Sequence, residues 1–216
     1  MIKLNLKKRV LTSIALLVLA ALFFYSKFVL IYTLIVLGVL SIIEFHRLIN
    51  RIYNKSLFNF LSNIFFIIYI FLFSFFFFYF SSIFQLKILV FIILLTCIAS
   101  DIGGYVVGKT FKGPKLTKIS PNKTKSGSLG SLMISGLFFS LSMFYFTNSI
   151  NMKIFLVGLL ISVICQIGDL FFSLLKRKAN VKDTGKIFPG HGGVLDRLDG
   201  IIFGLPFGFI ILILLF

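Results

Sequence analysis

The chain has 216 residues, of which 59% are hydrophobic and only 13% charged, and its formal net charge is +16. Apolar runs of about 20 residues recur along it, the length an α-helix needs to cross the hydrocarbon core of a bilayer. No stretch remains for a soluble domain, so the composition excludes a soluble enzyme or a nucleic-acid-binding module. We therefore expect an all-α polytopic membrane protein without a nucleic-acid partner.

The apolar runs predict about seven membrane-spanning helices. The first run follows a basic N-terminus with the charge layout of a signal sequence, but no small-residue cleavage site precedes Lys27, so a retained helix is expected. Splitting long or short runs would raise the count to about eight or nine, and the Phe-rich third run could form two short helices. The first two runs are short, with a tight turn between them, so a re-entrant pair is a further alternative. The predicted spans are 10–25, 28–43, 60–80, 87–107, 128–147, 153–172 and 201–216.

The basic residues predict how these spans are oriented. Lys and Arg accumulate in short cytoplasmic loops, and 19 of the 22 basic residues fall on one side if the N-terminus is cytoplasmic. We therefore expect a cytoplasmic N-terminus, with both long polar loops at the same face. The segments on that side are 1–9, 44–56, 108–127 and 173–200.

Carboxylates are scarce and unevenly placed. Only six occur in the chain, and four of them lie between Gln166 and Gly200. A fifth, Asp101, lies beside the other basic loop. Ionisable groups at the edges of apolar helices are costly in a bilayer, so an ion or a polar substrate is the expected reason for them.

Six lysines lie in segment 108–127 among Gly, Pro, Ser and Thr residues, so a regular helix is not expected there. Lysine ammonium groups, hydroxyls and glycine-flanked amides suit a phosphate-rich ligand. The alternative is a basic loop that binds anionic lipid headgroups at the membrane surface. Gly-Lys-Thr at 108–110 lacks the preceding glycine spacing of a P-loop, so that motif is rejected.

Helical spacing groups the remaining polar residues. Asp169, Ser173 and Lys176 stand at i, i+4 and i+7, which places a carboxylate, a hydroxyl and an ammonium on one helix face. Asp196 and Asp199 would share one face at the start of the last span, where N-terminal charge and capping are the alternative explanation. Three carboxylates converging from two helices would repel one another without a cation, and their oxygens suit Mg²⁺ with a phosphorylated substrate.

The turn at 189–193 joins these two helices, and its glycines permit close backbone approach or positive φ. Arg197 offers a planar donor for phosphate. His191 has no second His or Cys at ligand spacing, which favours hydrogen bonding in the turn or contact with phosphate over transition-metal binding. Cys97 and Cys165 lack metal or redox spacing, so buried free thiols are expected.

The run from Ser173 to Asp199, SLLKRKANVKDTGKIFPGHGGVLDRLD, resembles the signature of the phosphatidate cytidylyltransferases, also called CDP-diacylglycerol synthases. QIGDL at 166–170 resembles the family segment just upstream, and DIGGYVVGK with ISPNKTKSG, within 101–127, resembles its earlier cytoplasmic motif. A fixed register of Ser, Lys-Arg, Lys-Asp, His-Gly-Gly, Asp-Arg and Asp is very specific. The resemblance covers the C-terminal half, and the N-terminal spans match only as hydrophobic helices.

This resemblance implies an integral membrane enzyme that transfers a cytidylyl group from CTP to phosphatidate, giving CDP-diacylglycerol and pyrophosphate with Mg²⁺ required. It implies a homodimer in a bacterial cytoplasmic (inner) membrane with the active site facing the cytoplasm, and it leaves a second, monovalent cation open. The chain would then divide into N-terminal transmembrane helices, 1–86, and a C-terminal catalytic membrane domain, 87–216.

The resemblance also implies roles for individual residues, carried over from the matching motifs. Asp169, Asp196 and Asp199 would hold the metal. Ser173 and Lys176 would lie beside them as catalytic residues. The residues expected to bind the nucleotide and phosphate groups are Lys123, Arg177, Lys182, Asp183, His191, Arg197 and Asp101.

Three positions depart from the family pattern. The family has Trp-Glu where this chain has Lys125 and Ser126, and Glu where it has Phe172. Two acids are therefore missing, which puts a second metal site or the affinity for the nucleotide in doubt. The chain is also expected to be shorter than typical members at its N-terminal end, which would alter the lipid cavity or the dimer contact.

Two other classes of protein fit part of the pattern. A CTP-dependent lipid kinase, or another lipid nucleotidyltransferase, would use the same metal and phosphate groups; a kinase would release CDP where a cytidylyltransferase releases pyrophosphate. A cation transporter would also place aspartates in membrane helices, but internal repeats and broken helices near the midplane would be expected. The polar groups here sit at one face, which favours the enzyme.

Overall fold

The computed structural model describes residues 22, 25–54, 56–117, 119–149, 151–187 and 192–215. These residues form six α-helices, each long and apolar enough to cross a membrane by its length and composition. Lys115 and Thr124, at the two ends of the segment between the third and fourth of these helices, form an isolated antiparallel bridge. The helices are α1 (Lys27–Tyr53), α2 (Leu57–Ser82), α3 (Phe84–Phe111), α4 (Lys125–Thr147), α5 (Met152–Lys178) and α6 (Leu195–Leu215).

The all-helical architecture predicted from composition is confirmed, and its helices are those of an integral membrane protein. The Phe-rich run forms one continuous helix, α2, so the alternative of two short helices is wrong. The predicted first span, 10–25, lies almost wholly outside the described residues. The total of about seven spans and the cytoplasmic N-terminus therefore stay predictions.

The helices are longer than the apolar runs predict, because helical hydrogen bonding continues into polar turns. α1 runs on to Tyr53, ten residues beyond the predicted end of its span. The non-helical loop predicted over 108–127 shrinks to 112–124. The loop predicted over 173–200 is likewise helical at both ends, because α5 continues to Lys178 and α6 begins at Leu195.

Polar side chains and left-handed residues mark several helix ends. Ser26 precedes α1 and Thr124 precedes α4, and the side-chain oxygen of each accepts a backbone N–H from the first turn. α3 is followed by Lys112 with φ 48°, and α4 by Asn148 with φ 50°. These left-handed residues stop the helices, as C-terminal caps commonly do.

The chain divides into two compact units, and α5 and α6 each contribute residues to both. The first unit comprises Met1–Ser82 and Leu175–Leu198, and the second comprises Ile83–Leu174 and Asp199–Phe216. The functional division expected near residue 86 stays a prediction. In the first unit, α1 packs on α2 through Phe45 and Phe66, whose rings stack with centroids 3.9 Å apart.

The core of the second unit contains hydroxyl-bearing side chains that link its helices. The Ser100 and Ser162 hydroxyls are 2.8 Å apart, and Ser131 donates to the carbonyl oxygen of Ser100 at 2.8 Å. All three side chains are buried, and hydrogen bonds of this kind commonly join packed membrane helices. Cys97 and Cys165 are buried free thiols, as expected.

Candidate functional site

A cavity of about 250 Å³ with charged and polar groups in its wall opens in the second unit. It contains three of the residues that the motifs single out, and they come from α3, α5 and segment 112–124. Most of the other lining residues are glycines or carry hydroxyl or amide groups, and Tyr105 and Leu116 add apolar surface. The lining residues are Asp101, Gly104, Tyr105, Leu116, Asn122, Lys123, Thr124, Gly127, Ser128, Ser131, Gln166 and Asp169.

The backbone of segment 112–124 fixes the position of Lys123. A turn at Pro121 and Asn122 reverses the chain, which is the usual role of these residue types. The Leu116 N–H donates to the carbonyl oxygen of Lys123 at 2.8 Å, just before Thr124 caps α4. These contacts fix the backbone of the segment where it meets the cavity, although its described residues form no helix.

Lys123 and Asp169 form an ion pair at the cavity wall, with the Lys123 Nζ donating to Oδ2 of Asp169. The Lys123 and Asp169 side chains are 27% and 25% exposed, respectively, so both remain accessible to a ligand. Ser173 Oγ donates to Oδ1 of Asp169 at 3.5 Å, which confirms that these two residues share a helix face. The two segments that carried separate motifs therefore meet at this carboxylate.

Gln166 is a cavity residue that the motif analysis did not assign. Ser128 Oγ donates to its Oε1, and its Nε2 donates to Ser162 Oγ at 3.3 Å. Gln166 lies three residues before Asp169, so both side chains stand on one face of α5. That spacing within QIGDL was the signal that could have identified it.

Asp199 lies close to the same stretch of α5 in the second unit. A Cβ added to Gly168 would stand 2.7 Å from the Asp199 carbonyl oxygen and 2.9 Å from a ring carbon of Phe203. Only glycine allows the backbones to approach this closely. Asp199 Oδ1 accepts a hydrogen bond from the Gly200 N–H at 3.0 Å.

Asp196, in the first unit, has both carboxylate oxygens engaged. Oδ1 accepts from Lys176 Nζ at 2.7 Å, and the Asp196 side chain is only 8% exposed. Oδ2 accepts from the backbone N–H groups of Thr184 and Gly193, at 2.8 and 2.9 Å, and lies 3.0 Å from the Thr184 hydroxyl. Asp196 therefore joins Thr184 and Gly193 to the start of α6, a structural role that agrees with the capping alternative.

Glu44 on α1 was missed by the sequence analysis, although it is fully buried. Its Oε1 accepts from the Val194 N–H at 3.0 Å, and its Oε2 accepts from the Leu195 N–H at 2.9 Å and the Thr184 hydroxyl at 2.6 Å. The signal was available, because a carboxylate inside the apolar run SIIEF is costly to bury unless it is hydrogen-bonded.

Gly193 passes directly against this buried carboxylate. A Cβ there would meet the Thr184 hydroxyl and both oxygens of Glu44. The close approach expected of the glycine turn is thus confirmed at Gly193, and the positive φ is confirmed at Gly192, with φ 85°. The rest of that turn, including His191, lies outside the described residues.

The remaining predicted substrate residues fall in several places. Lys182 and Asp183 line a separate cavity in the first unit. Arg177 and Arg197 are exposed. Phe172, where the resembling family has an acid, is 1% exposed and packs beside Phe203, so the position serves apolar packing here.

The carboxylates of the second unit fit a divalent cation by their chemistry. Among the described residues, no group of three or more His, Cys, Asp or Glu side chains is placed to hold a metal. Mg²⁺ is usually bound by one or two carboxylates, with waters and substrate phosphates completing its ligands. Asp169 and Asp199 are two carboxylates of this kind on neighbouring parts of α5 and α6. The Asp169 side chain is 25% exposed, whereas that of Asp196 is 8% exposed.

Comparison with known proteins gives one family. A family model described as "Cytidylyltransferase family" matches residues 5–215. The phosphatidate cytidylyltransferase of Rickettsia felis is 44% identical over 135 residues, which cover 57% of this chain and 59% of that protein. The proteins of the same name from Synechocystis sp. and Helicobacter pylori (strain ATCC 700392) are 40% and 43% identical over 61% and 52% of this chain, and over 46% and 42% of their own lengths. The matched region thus spans about half the length of these relatives.

Proposed function

The chain belongs to the cytidylyltransferase family, and from this we propose that it transfers a cytidylyl group from CTP to phosphatidate. The products would be CDP-diacylglycerol and pyrophosphate. The observation that carries the proposal is the Lys123–Asp169 ion pair at the wall of a cavity among apolar helices. A cation beside a carboxylate, both accessible, suits a site that receives a phosphate-rich substrate in a membrane.

The chemistry requires positioning and charge neutralisation, with no covalent enzyme intermediate. An oxygen of the phosphatidate phosphate attacks the α-phosphorus of CTP in line with the departing pyrophosphate. Lys123 would hold phosphate oxygens as a mobile point charge. Ser173 would orient the Asp169 carboxylate through its hydrogen bond. Ser128 and Gln166, already hydrogen-bonded to each other, would present polar groups at the cavity wall.

Mg²⁺ is proposed as the cofactor, with Asp169 and Asp199 as the residues that would hold it. When bound, such an ion neutralises charge that develops on the leaving pyrophosphate. The assignment of Asp196 as a further ligand, and the second monovalent cation, rest on the family resemblance alone.

We further propose that the protein lies in a bacterial cytoplasmic (inner) membrane with its N-terminus and active site facing the cytoplasm. The concentration of 19 of 22 basic residues in alternate loops supports this orientation. CTP would then reach the cavity from the compartment that contains it, and phosphatidate from the bilayer. A homodimer is proposed from the family resemblance.

The proposal is tested by incubating the purified protein with phosphatidate and α-labelled CTP, with and without Mg²⁺. We expect Mg²⁺-dependent label in the lipid phase together with an equal amount of pyrophosphate. Release of CDP with no label in the lipid would contradict the proposal and indicate a CTP-dependent lipid kinase.

A further inference from the structure

A second cavity, of about 490 Å³, lies in the first unit between one face of α1 and the start of segment 179–194. We call it the Arg47 pocket. Four of its lining residues are basic and only one is acidic. Its lining residues are Arg47, Leu48, Arg51, Val181, Lys182, Asp183, Thr184, Gly185 and Lys186.

One face of α1 forms one wall of the pocket, and a hydrogen bond from Thr184 to Glu44 holds the opposite wall in place. Glu44, Arg47 and Arg51 stand at i, i+3 and i+7, so they share one face of α1. The buried Glu44 carboxylate accepts the hydrogen bond from Thr184, which is itself a pocket residue and 8% exposed. This bond joins Thr184 to α1 across 140 residues of sequence. It holds residues 181–186 beside the two arginines of the same helix. The cations are therefore brought together by the fold and not by sequence proximity.

The four cations of the pocket have no partner among the residues that the structure describes. For Arg47, Arg51, Lys182 and Lys186 the described residues provide no hydrogen bond or ion pair, whereas Lys123 and Lys176 each pair with an aspartate. Four cations and one carboxylate, Asp183, leave an excess of positive charge around the cavity, and a bound anion lowers the repulsion between the cations. Arg47 and Arg51 stand one helical turn apart, and guanidinium groups are the side chains that bind phosphate in planar, bidentate fashion.

We propose that the Arg47 pocket binds a phosphate group of a substrate, with Arg47 and Arg51 as binding residues that the family resemblance does not assign. The volume lies within the usual range of small-ligand pockets, about 300–1,000 Å³. The same chemistry is offered by the phosphomonoester of phosphatidate and by the triphosphate of CTP. The inference rests on the proposed function only for the identity of these two substrates.

The test uses the full chain, with Arg47→Gln, Arg51→Gln and the double variant. Lys178→Gln is the matched control, because Lys178 is an exposed cation of the same unit that does not line the pocket. Initial rates are measured while one substrate is varied at saturation of the other. We expect the double variant to raise KM for one substrate by about tenfold, the loss expected when charge-assisted hydrogen bonds to phosphate are removed. kcat should stay within about twofold, and Lys178→Gln should match the wild type.

The substrate whose KM rises identifies the source of the phosphate. A rise for phosphatidate assigns the pocket to the lipid headgroup, and a rise for CTP assigns it to the nucleotide. Unchanged KM values for both substrates in the double variant would overturn the proposal. Each arginine is exposed, so the single variants remain available if the double variant does not fold.

Binding is also measured without turnover, as the shift in thermal midpoint caused by CTP alone and by short-chain phosphatidate alone. A shift in the wild type that is lost in the arginine variants supports the pocket, even if no CDP-diacylglycerol forms and the proposed function fails. Normal synthesis together with equal shifts in wild type and variants would overturn the pocket and leave the proposed function standing. No shift with either ligand in the wild type would also overturn it.

Discussion

Two aspartates that the sequence places in the same predicted role differ in what surrounds them. Asp196, in the first unit, is 8% exposed and accepts hydrogen bonds on both oxygens. Asp169, in the second, is 25% exposed, pairs with Lys123 and has one long contact from Ser173. The difference shows that one carboxylate is used to hold the polypeptide, while the other keeps oxygens accessible at a cavity. A motif alone does not distinguish these uses.

Asp199→Asn gives the largest expected effect, and it tests the second carboxylate of the proposed ion site. The amide keeps the side-chain shape and one acceptor oxygen for the Gly200 N–H, so we expect the thermal midpoint to change little. Loss of the charge removes electrostatic stabilisation of the reacting phosphates, and turnover should fall by about 10²-fold or more. Turnover is measured as labelled CDP-diacylglycerol, with the thermal midpoint as the control. Near-normal activity would remove Asp199 from the proposed ion site.

Glu44→Ala tests the structural role of the other buried carboxylate in the first unit. The substitution leaves the N–H groups of Val194 and Leu195 and the Thr184 hydroxyl without their acceptor. Each buried unsatisfied group costs about 1–3 kcal/mol, so the thermal midpoint in detergent should fall strongly.

Glu44→Gln is the matched control for that variant. The amide retains one acceptor oxygen, and we expect a smaller loss of stability than for alanine. Equal midpoints for wild type and Glu44→Ala would show that Glu44 does not hold segment 179–194 in place.

Gly168→Ala probes the close approach beside Asp169. The added Cβ would stand 2.7 Å from the Asp199 carbonyl oxygen, so the two backbones must separate, at a cost of about 1–3 kcal/mol. Gly200→Ala is the control, since its nearest neighbour is 3.3 Å away. Thermal midpoints of the two variants should differ, with Gly168→Ala the lower. The reverse order would contradict the packing described for this unit.

Ser173→Ala has the smallest expected effect. Its hydrogen bond to Asp169 is long, at 3.5 Å, and a bond of that length contributes little. We expect kcat to fall by about fivefold or less, with stability unchanged. A loss of about 100-fold would instead indicate direct contact between Ser173 and the reacting groups, as the family resemblance implies.

Periodicity and composition predicted the helical membrane fold, because apolar runs of sufficient length leave few alternatives. The same runs placed the end of α1 too early, at residue 43, because hydropathy falls before helical hydrogen bonding stops. The pairing of Lys123 with Asp169, 46 residues apart, could not be read from sequence spacing. The role of Glu44 could not be predicted from local spacing, because its three partners lie 140 or more residues away.

The most direct test compares Asp169→Asn with Asp196→Asn in one experiment, recording both kcat and thermal midpoint. We predict that Asp169→Asn lowers kcat by about 10²-fold or more and leaves the midpoint nearly unchanged. Asp196→Asn should lower the midpoint much more, because removing one partner of a buried ion pair costs about 3–5 kcal/mol. Equal losses of stability in the two variants, or full activity in Asp169→Asn, would contradict the distinction between an accessible and a structural carboxylate.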